Sequence, residues 1–275
     1  MQAFDRPGRP AEPLTERTPR VVSAVKLQRS AERRRVGRFL AEGENAVAEA
    51  IDAGVVKELY ATDAWFGSSS RIVDSAASAG VVVQVITERA AKALSDTVTP
   101  PGLVAVCSLV DVPMGQALAG EPTLVAVPVA VSEPGNAGTI TRVADAAGAD
   151  AVVFAGDGVD PHNGKCVRSS AGSLFHLPIV RERSVDATTS ALSSAGLRIV
   201  ATAADGEVDL DYADELLAGP TAWLFGNEAH GLPAEVLAAA DVRVRIPIHG
   251  RAESLNLATA AALCLYASAR AQRRR

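Results

Sequence analysis

Five polar residues in the second half of the chain have the types and settings to do chemistry at a loop: Asn136, Arg142, Glu228, Ser254 and Asn256. Asn136 lies in Glu133-Pro134-Gly135-Asn136-Ala137-Gly138, where its amide can either cap a helix or turn toward a ligand. Arg142 follows inside the second turn of that helix and can face the loop mouth or solvent. Glu228 stands between Gly226 and Gly231, two glycines that let backbone pass close to a ligand and leave the carboxylate able to accept hydrogen bonds. Its neighbour His230 is a candidate for acid–base work near neutral pH and equally an incidental loop residue. In Glu253-Ser254-Leu255-Asn256, Ser254 fits the N-cap of the last helix, whose free N–H groups suit a ligand carboxylate.

Such groups need a scaffold, and the second half supplies one by alternation. Strands are predicted over residues 123–131, 151–155, 178–181, 197–203, 221–225 and 242–246. Helices are predicted over 139–147, 165–171, 186–195, 233–239 and 254–270. This pattern predicts an α/β fold with a parallel sheet, helices on both faces and functional loops at the carboxyl ends of the strands, where all five residues fall. The first half reads as a Pro-rich tail expected to be disordered over residues 1–18, then a basic amphipathic helix over 21–38. A smaller α/β module follows, with helices over 44–53, 69–79 and 88–95 and strands over 56–61, 81–86 and 103–110. A linker over 111–122 carries Pro113, Gly115, Gly120 and Pro122, so the expected domains are 19–110 and 123–275.

With 275 residues and 48% apolar content, the chain can bury two modest cores. No apolar run reaches the roughly 18 to 20 residues that cross a bilayer, and residues 1–18 lack an apolar signal region, so the expectation is a cytoplasmic protein without membrane contact. Cys107, Cys166 and Cys264 are an odd number without C-x-x-C spacing, which points to buried thiols rather than disulfides or a metal site. The net charge of −5 hides an asymmetry: residues 1–40 balance at +6 and the remainder at −11. A basic segment on an acidic body is either a nucleic-acid-facing region or a solvated helix face. Arginine outnumbers lysine 23 to 4, and its planar fork suits phosphate. The run from Gly158 to Gly164-Lys165-Cys166 has five residues between its glycines where a phosphate-binding P-loop needs four, and Cys166 replaces the Ser/Thr that would bind magnesium. The Gly-x-Gly-x-x-Gly turn of dehydrogenases is absent after residues 123–131.

Asn136-x-Gly138-x-x-x-Arg142, Gly226-x-Glu228-x-x-Gly231 and Ser254-Leu255-Asn256 resemble, in order and spacing, the three motifs of the SpoU/TrmH family of RNA 2'-O-ribose methyltransferases. The segment from Asp160 through Gly164, Arg168 and Ser170 to Gly172-Ser173 is similar to the family's stretch between motifs. Phe39-Leu40-Ala41-Glu42-Gly43 and Pro100-Pro101-Gly102 resemble its substrate-binding domain, which is like ribosomal L30e proteins, although relatives often carry Gln-Gly where Pro101-Gly102 stands. The resemblance implies a C-terminal SPOUT methyltransferase domain with a deep trefoil knot, a preceding L30e-like RNA-binding domain, and homodimers. It implies S-adenosyl-L-methionine as cofactor, held by backbone at Gly226, Ile246, Ile248 and Leu255 with Ala203 near the adenine, and no metal. Arg142 would be the activating residue near the subunit interface, with Asn136, Glu228, Ser254 and Asn256 orienting it, the loops and the ribose. Because a guanidinium keeps its proton above about pH 12, a cation gripping phosphate or a forming alkoxide is favoured over a general base. The substrate expected is 23S rRNA, as in thiostrepton-resistance enzymes, against transfer RNA or a non-catalytic RNA-binding protein of the same fold.

Overall fold

The computed structural model describes residues 12–66 and 71–274; the expectations for residues 1–11 and for the first turn of the 69–79 helix lie outside them. The chain divides into two compact units, Met1–Val110 with His162–Phe175, and Asp111–Pro161 with His176–Arg275.

The first unit holds a four-stranded sheet of β1 (Arg38–Glu42), β2 (Val56–Ala61), β3 (Val82–Val85) and β4 (Leu103–Ser108), in the order β1-β4-β2-β3. β1 and β2 run antiparallel to β4, and β3 runs parallel to β2. The basic stretch is not one helix. It breaks into helix Pro19–Val25, a 3-10 turn Lys26–Gln28 and helix Ser30–Val36. Arg33 explains the break: its guanidinium is buried and Nη1 donates to the carbonyls of Leu27 and Gln28, both at 3.0 Å, closing the end of the 3-10 turn. Gly37 then ends the helix in the left-handed region and releases β1, which takes Arg38 from the predicted helix and adds a strand over residues to which no element had been assigned. Nor do residues 12–18 hang free, since the Leu14 N–H donates to the Val85 carbonyl at 2.8 Å and its carbonyl accepts from Thr87.

Residues 162–175, expected in the catalytic half, belong to this first unit. Helix Gly164–Ser170 is capped by Asn163 and carries Arg168, whose Nη1 lies 3.1 Å from Glu42 and 2.5 Å from Asp96. Glu42 is buried on β1, and hydroxyls of Ser95 and Thr97 supply its other oxygen. A buried carboxylate requires such partners. The Phe39 ring stacks on Phe175 at 6.1 Å and meets the His162 ring at 4.7 Å.

The second unit is a seven-stranded sheet: β5 (Leu124–Pro128), β6 (Ala151–Ala155), β7 (Ile179–Glu182), β8 (Arg198–Thr202), β9 (Val208–Asp209), β10 (Thr221–Phe225) and β11 (Val242–Arg245). The order is β7-β6-β5-β10-β8-β11-β9 and every pairing is parallel, as the alternation predicts. β5, β6 and β10 are buried along their whole length, the mark of strands covered on both faces. The chain steps outward from β5 to β7, crosses to β8, and returns to insert β10 between β5 and β8, so the carboxyl ends of β5, β10 and β8 meet at a switch in strand order. Two helix starts differ from expectation. The Pro134–Ala147 helix begins five residues before position 139, with Glu133 as its cap. The final helix, Leu257–Arg273, is capped by Asn256 and not by Ser254. It packs on the Pro134–Ala147 helix, and its Ser268 hydroxyl accepts the indole N–H of the buried Trp223 at 2.9 Å.

Candidate active site

β10 ends at Phe225, and at Gly226 the chain turns back on itself. A methyl group at Gly226 would stand 2.3 Å from the carbonyl carbon of Gly231 and 2.4 Å from the nitrogen of Leu232, so only glycine fits. The loop is closed by two backbone hydrogen bonds between Asn227 and Gly231, at 3.0 and 2.8 Å, and Gly231 completes the turn with φ of +66°. Asn227 also anchors the loop to the end of β5, donating from Nδ2 to the carbonyl of Ala130 at 2.8 Å.

Glu228 is thereby presented to the loop after β5. One of its oxygens accepts from the Ser132 N–H and hydroxyl, both at 3.1 Å; the other accepts from the Glu133 N–H at 3.2 Å and from Asn136 Nδ2 at 3.0 Å. Partial burial works to raise the Glu228 pKa, but the Asn136 amide and the backbone donors outweigh it and hold the carboxyl below the usual carboxylate range. Because an ionised carboxylate only accepts, the polarity of the next links is fixed. Asn136 must give its NH2 to Glu228, so its Oδ1 accepts from Asn256 Nδ2 at 3.0 Å. Asn256 then turns its own Oδ1 to the N–H groups of Ala258 and Thr259, at 2.9 and 3.3 Å. The chain Glu228–Asn136–Asn256 thus ties the loops after β10, β5 and β11 into one polar string. Asn136 is released for this by Glu133, which caps the helix through the Gly135 N–H at 3.0 Å.

Two of the five sequence-predicted residues stand outside that string. Arg142 is exposed and, among the described residues, makes no hydrogen bond or ion pair. It follows Asn136 at about 9 Å along the helix axis. Ser254 is exposed and likewise bonded to nothing among the described residues. His230 is exposed at the loop tip and takes no part in the string. Ser132 and Glu133, which sequence reasoning did not single out for this role, supply three of the four hydrogen bonds that hold Glu228. The only sequence signal for them was their place just ahead of Asn136.

Ala203, Gly226 and Ile246 are each the first residue after one of three adjacent parallel strands, β8, β10 and β11. Next to them, Gly206 passes so close to β11 that a methyl there would lie 2.7 Å from the Arg245 nitrogen. Ile246 and Leu255 are half-buried and Ile248 is exposed. Among the described residues the N–H groups of Ile246, Ile248 and Leu255 make no backbone hydrogen bond. The two half-buried donors, at Ile246 and Leu255, are ready for a ligand with ring nitrogens or a carboxylate. No cluster of three or more His, Cys, Asp or Glu suited to a metal exists among the described residues.

The second unit is thus an α/β fold of seven parallel strands with a polar string across its carboxyl-end loops, where such folds place their binding sites. Residues 123–266 match the SpoU rRNA Methylase family and residues 18–105 match the MRM3-like substrate binding domain, and the chain belongs to the SpoU rRNA methylase family. It is 36% identical over 242 residues to the 23S rRNA (guanosine(2553)-2'-O)-methyltransferase RlmP of Bacillus subtilis (strain 168), covering 88% of this chain and 92% of that protein. Over 142 residues, half of each chain, it is 43% identical to a 23S rRNA (uridine(2479)-2'-O)-methyltransferase of Streptomyces viridochromogenes. The crystal structure of the SpoU methyltransferase AviRb from Streptomyces viridochromogenes with the cofactor AdoMet superposes with a TM-score of 0.83 at 29% identity, over 94% of this chain and all of that one. An AdoMet-bound rRNA methyltransferase from Sinorhizobium meliloti gives 0.82 at 30% identity, over 94% and 97%.

Proposed function

We propose that this chain is an S-adenosyl-L-methionine-dependent methyltransferase that modifies a ribose 2'-hydroxyl of 23S rRNA. The observation that carries the reading is the string Glu228–Asn136–Asn256, which joins the three family motifs through side chains rather than leaving them as separate loops. The Bacillus subtilis relative, which shares 88% of this chain, is named for 23S rRNA, and this supports that substrate over transfer RNA.

Bound S-adenosyl-L-methionine supplies an electrophilic methyl group on a positively charged sulfur. The ribose oxygen would give its proton to water as it bonds to the methyl carbon, the carbon–sulfur pair leaving with the sulfur. In our reading Arg142, a guanidinium with donors and no acceptor, grips the phosphate beside the target ribose or the oxygen as it becomes an alkoxide and does not act as a base. Its exposure, free of internal partners, suits a group that waits for an anion. Ser254 and Asn256, at the start of the 17-residue final helix, would orient the ribose, and Asn136 and Glu228 hold their loops in register. The free N–H groups at Ile246, Ile248 and Leu255, with the close turn at Gly226, would hold the cofactor's adenine and carboxylate, and Ala203 would flank the adenine.

We further read the second unit as carrying a deep trefoil knot and the protein as a cytoplasmic homodimer. The half-exposed Leu263 and Tyr266 on the final helix are suited to a second copy, which would bring its own groups to Arg142. The test is incubation with methyl-deuterated S-adenosyl-L-methionine and, separately, unmodified 23S rRNA and transfer RNA, followed by digestion to nucleosides and mass spectrometry. Labelled 2'-O-methyl ribose in 23S rRNA alone, lost in Arg142→Ala, is the expected result. Label in transfer RNA alone, or in neither, would overturn the reading.

A further inference from the structure

We propose that a cleft in the first unit is a seat for the phosphodiester backbone of the substrate RNA, contacted by Lys26 and Arg38. This rests on the reading of the chain as an RNA methyltransferase and assigns it a second, non-catalytic contact with the same substrate.

The cleft has a volume of about 440 Å3 and lies among the Pro19–Val25 and Ser30–Val36 helices and the sheet, with Arg20, Lys26, Arg35 and Arg38 facing Glu32 and Glu58. Two of the four cations are already matched. Arg35 makes a forked pair with Glu32, at 2.9 and 2.6 Å, and Arg20 lies 3.6 Å from Glu58. Lys26 and Arg38 are exposed and, among the described residues, their side chains make no hydrogen bond or ion pair, although Lys26 lies within Coulomb reach of Glu32, which Arg35 already holds. Arg29 and Arg34, on the same helical pair, are exposed, and their side chains make no hydrogen bond or ion pair among the described residues; Arg29 too lies within Coulomb reach of Glu32. By count the cleft keeps two positive charges in excess, four cations against two carboxylates, and two more cations stand on the segment that walls it.

The frame is rigid where the charges are free. Buried Arg33 locks the two helices by donating to the Leu27 and Gln28 carbonyls, and Gln28 Nε2 ties the turn to the Ala93 carbonyl at 3.0 Å. Cations fixed before binding lose less entropy when an anion arrives. Beyond residue 40 the chain balances at −11, so a polyanion is repelled by the body as a whole and drawn to this segment. A strip of several cations suits a repeating phosphate backbone better than a single small anion.

The experiment uses the full chain, filter binding to unmodified 23S rRNA between 50 and 200 mM KCl, and the double variant Lys26→Gln/Arg38→Gln. Each lost phosphate contact lowers the slope of log affinity against log salt by about 0.7 to 0.9, so the variant should be shallower by about 1.5 and bind roughly tenfold or more weakly at 100 mM. Its KM for RNA should rise, while the charge-keeping Lys26→Arg/Arg38→Lys should retain the wild-type slope. Binding of S-adenosyl-L-methionine by equilibrium dialysis reports that the fold is intact. An unchanged slope in the Gln variant overturns the assignment, as does equal weakening by both variants or stronger competition by poly-glutamate than by RNA. If the wild type binds 23S rRNA but transfers no methyl group, the failure belongs to the proposed reaction, and the slope still decides the cleft.

Discussion

Replacing Gly226 by alanine tests whether the turn after β10 is the hinge of the cofactor site. The added methyl would lie 2.3 Å from the Gly231 carbonyl carbon, against an ordinary contact of 3.4 Å or more, so backbone must move by about 1 Å. The obstructing atoms belong to the main chain and cannot rotate away. Relief comes by opening the Asn227–Gly231 closure, whose two hydrogen bonds are worth about 1 kcal/mol each, while keeping it closed costs a comparable 1–3 kcal/mol of overpacking. A penalty of about 2 kcal/mol, the two bonds together, depletes the binding-competent loop roughly 30-fold, and the apparent Kd for S-adenosyl-L-methionine should rise by about that factor. Gly231→Ala is the internal control. It meets no atom within 4 Å and suffers only from its φ of +66°, about 1–2 kcal/mol, so its effect should be smaller. Isothermal titration of both variants with the cofactor checks this. Wild-type affinity in Gly226→Ala, or a greater loss in Gly231→Ala, would refute the reasoning.

Four further outcomes are expected. Arg142→Ala should abolish methyl transfer at least 100-fold while leaving cofactor binding within about twofold, read by single-turnover kinetics and titration. The Glu228 pKa is lowered in the folded loop, so its contribution is complete above the ordinary carboxylate value and is lost as pH falls through the lower folded value. Cofactor affinity should accordingly drop on the acid side, and Glu228→Gln should flatten that limb. Arg168→Ala strips the buried Glu42 of its cation and should destabilise the first unit by about 2 kcal/mol in a urea titration. Burial pushes the Cys107 and Cys264 thiols far up and Cys166 is buried too, so a thiol reagent such as DTNB should label none of the three until the protein unfolds.

Local pattern made much of the second unit legible. The run Thr-Ala-Trp-Leu-Phe is apolar, short and bounded by Pro220 and Gly226, and the strand falls on those five residues, 221–225. Where two local choices competed, tertiary contacts decided. Ser254 and Asn256 are both good caps, and Asn256 takes the role with its second amide group bonded to Asn136, 120 residues away. Asn136 is itself released from capping because Glu133 satisfies the helix start, a trade invisible to spacing. β1 was hidden behind the arginine run: Arg38-Phe39-Leu40-Ala41-Glu42 suits a helix as well as a strand, and pairing with β4 settles it. The motif glycines were legible as motif, but the reason for Gly226 is a clash with a residue five positions on. Ser132 left no signal, since a serine after a strand is commonplace.

The loan of residues 162–175 to the first unit has a consequence for how the protein is made. Glu42 leaves the ribosome 126 residues ahead of Arg168, the cation that neutralises it. At elongation rates of about 5–20 residues per second, that is a wait of ~6–25 s. During that interval the nascent amino-terminal sheet lacks the counter-charge to Glu42 and the ring that stacks on Phe39. The two units are therefore not beads released in turn: the first matures only after much of the second has been synthesised, and cleavage after residue 110 would yield a fragment missing part of its own fold rather than an independent domain.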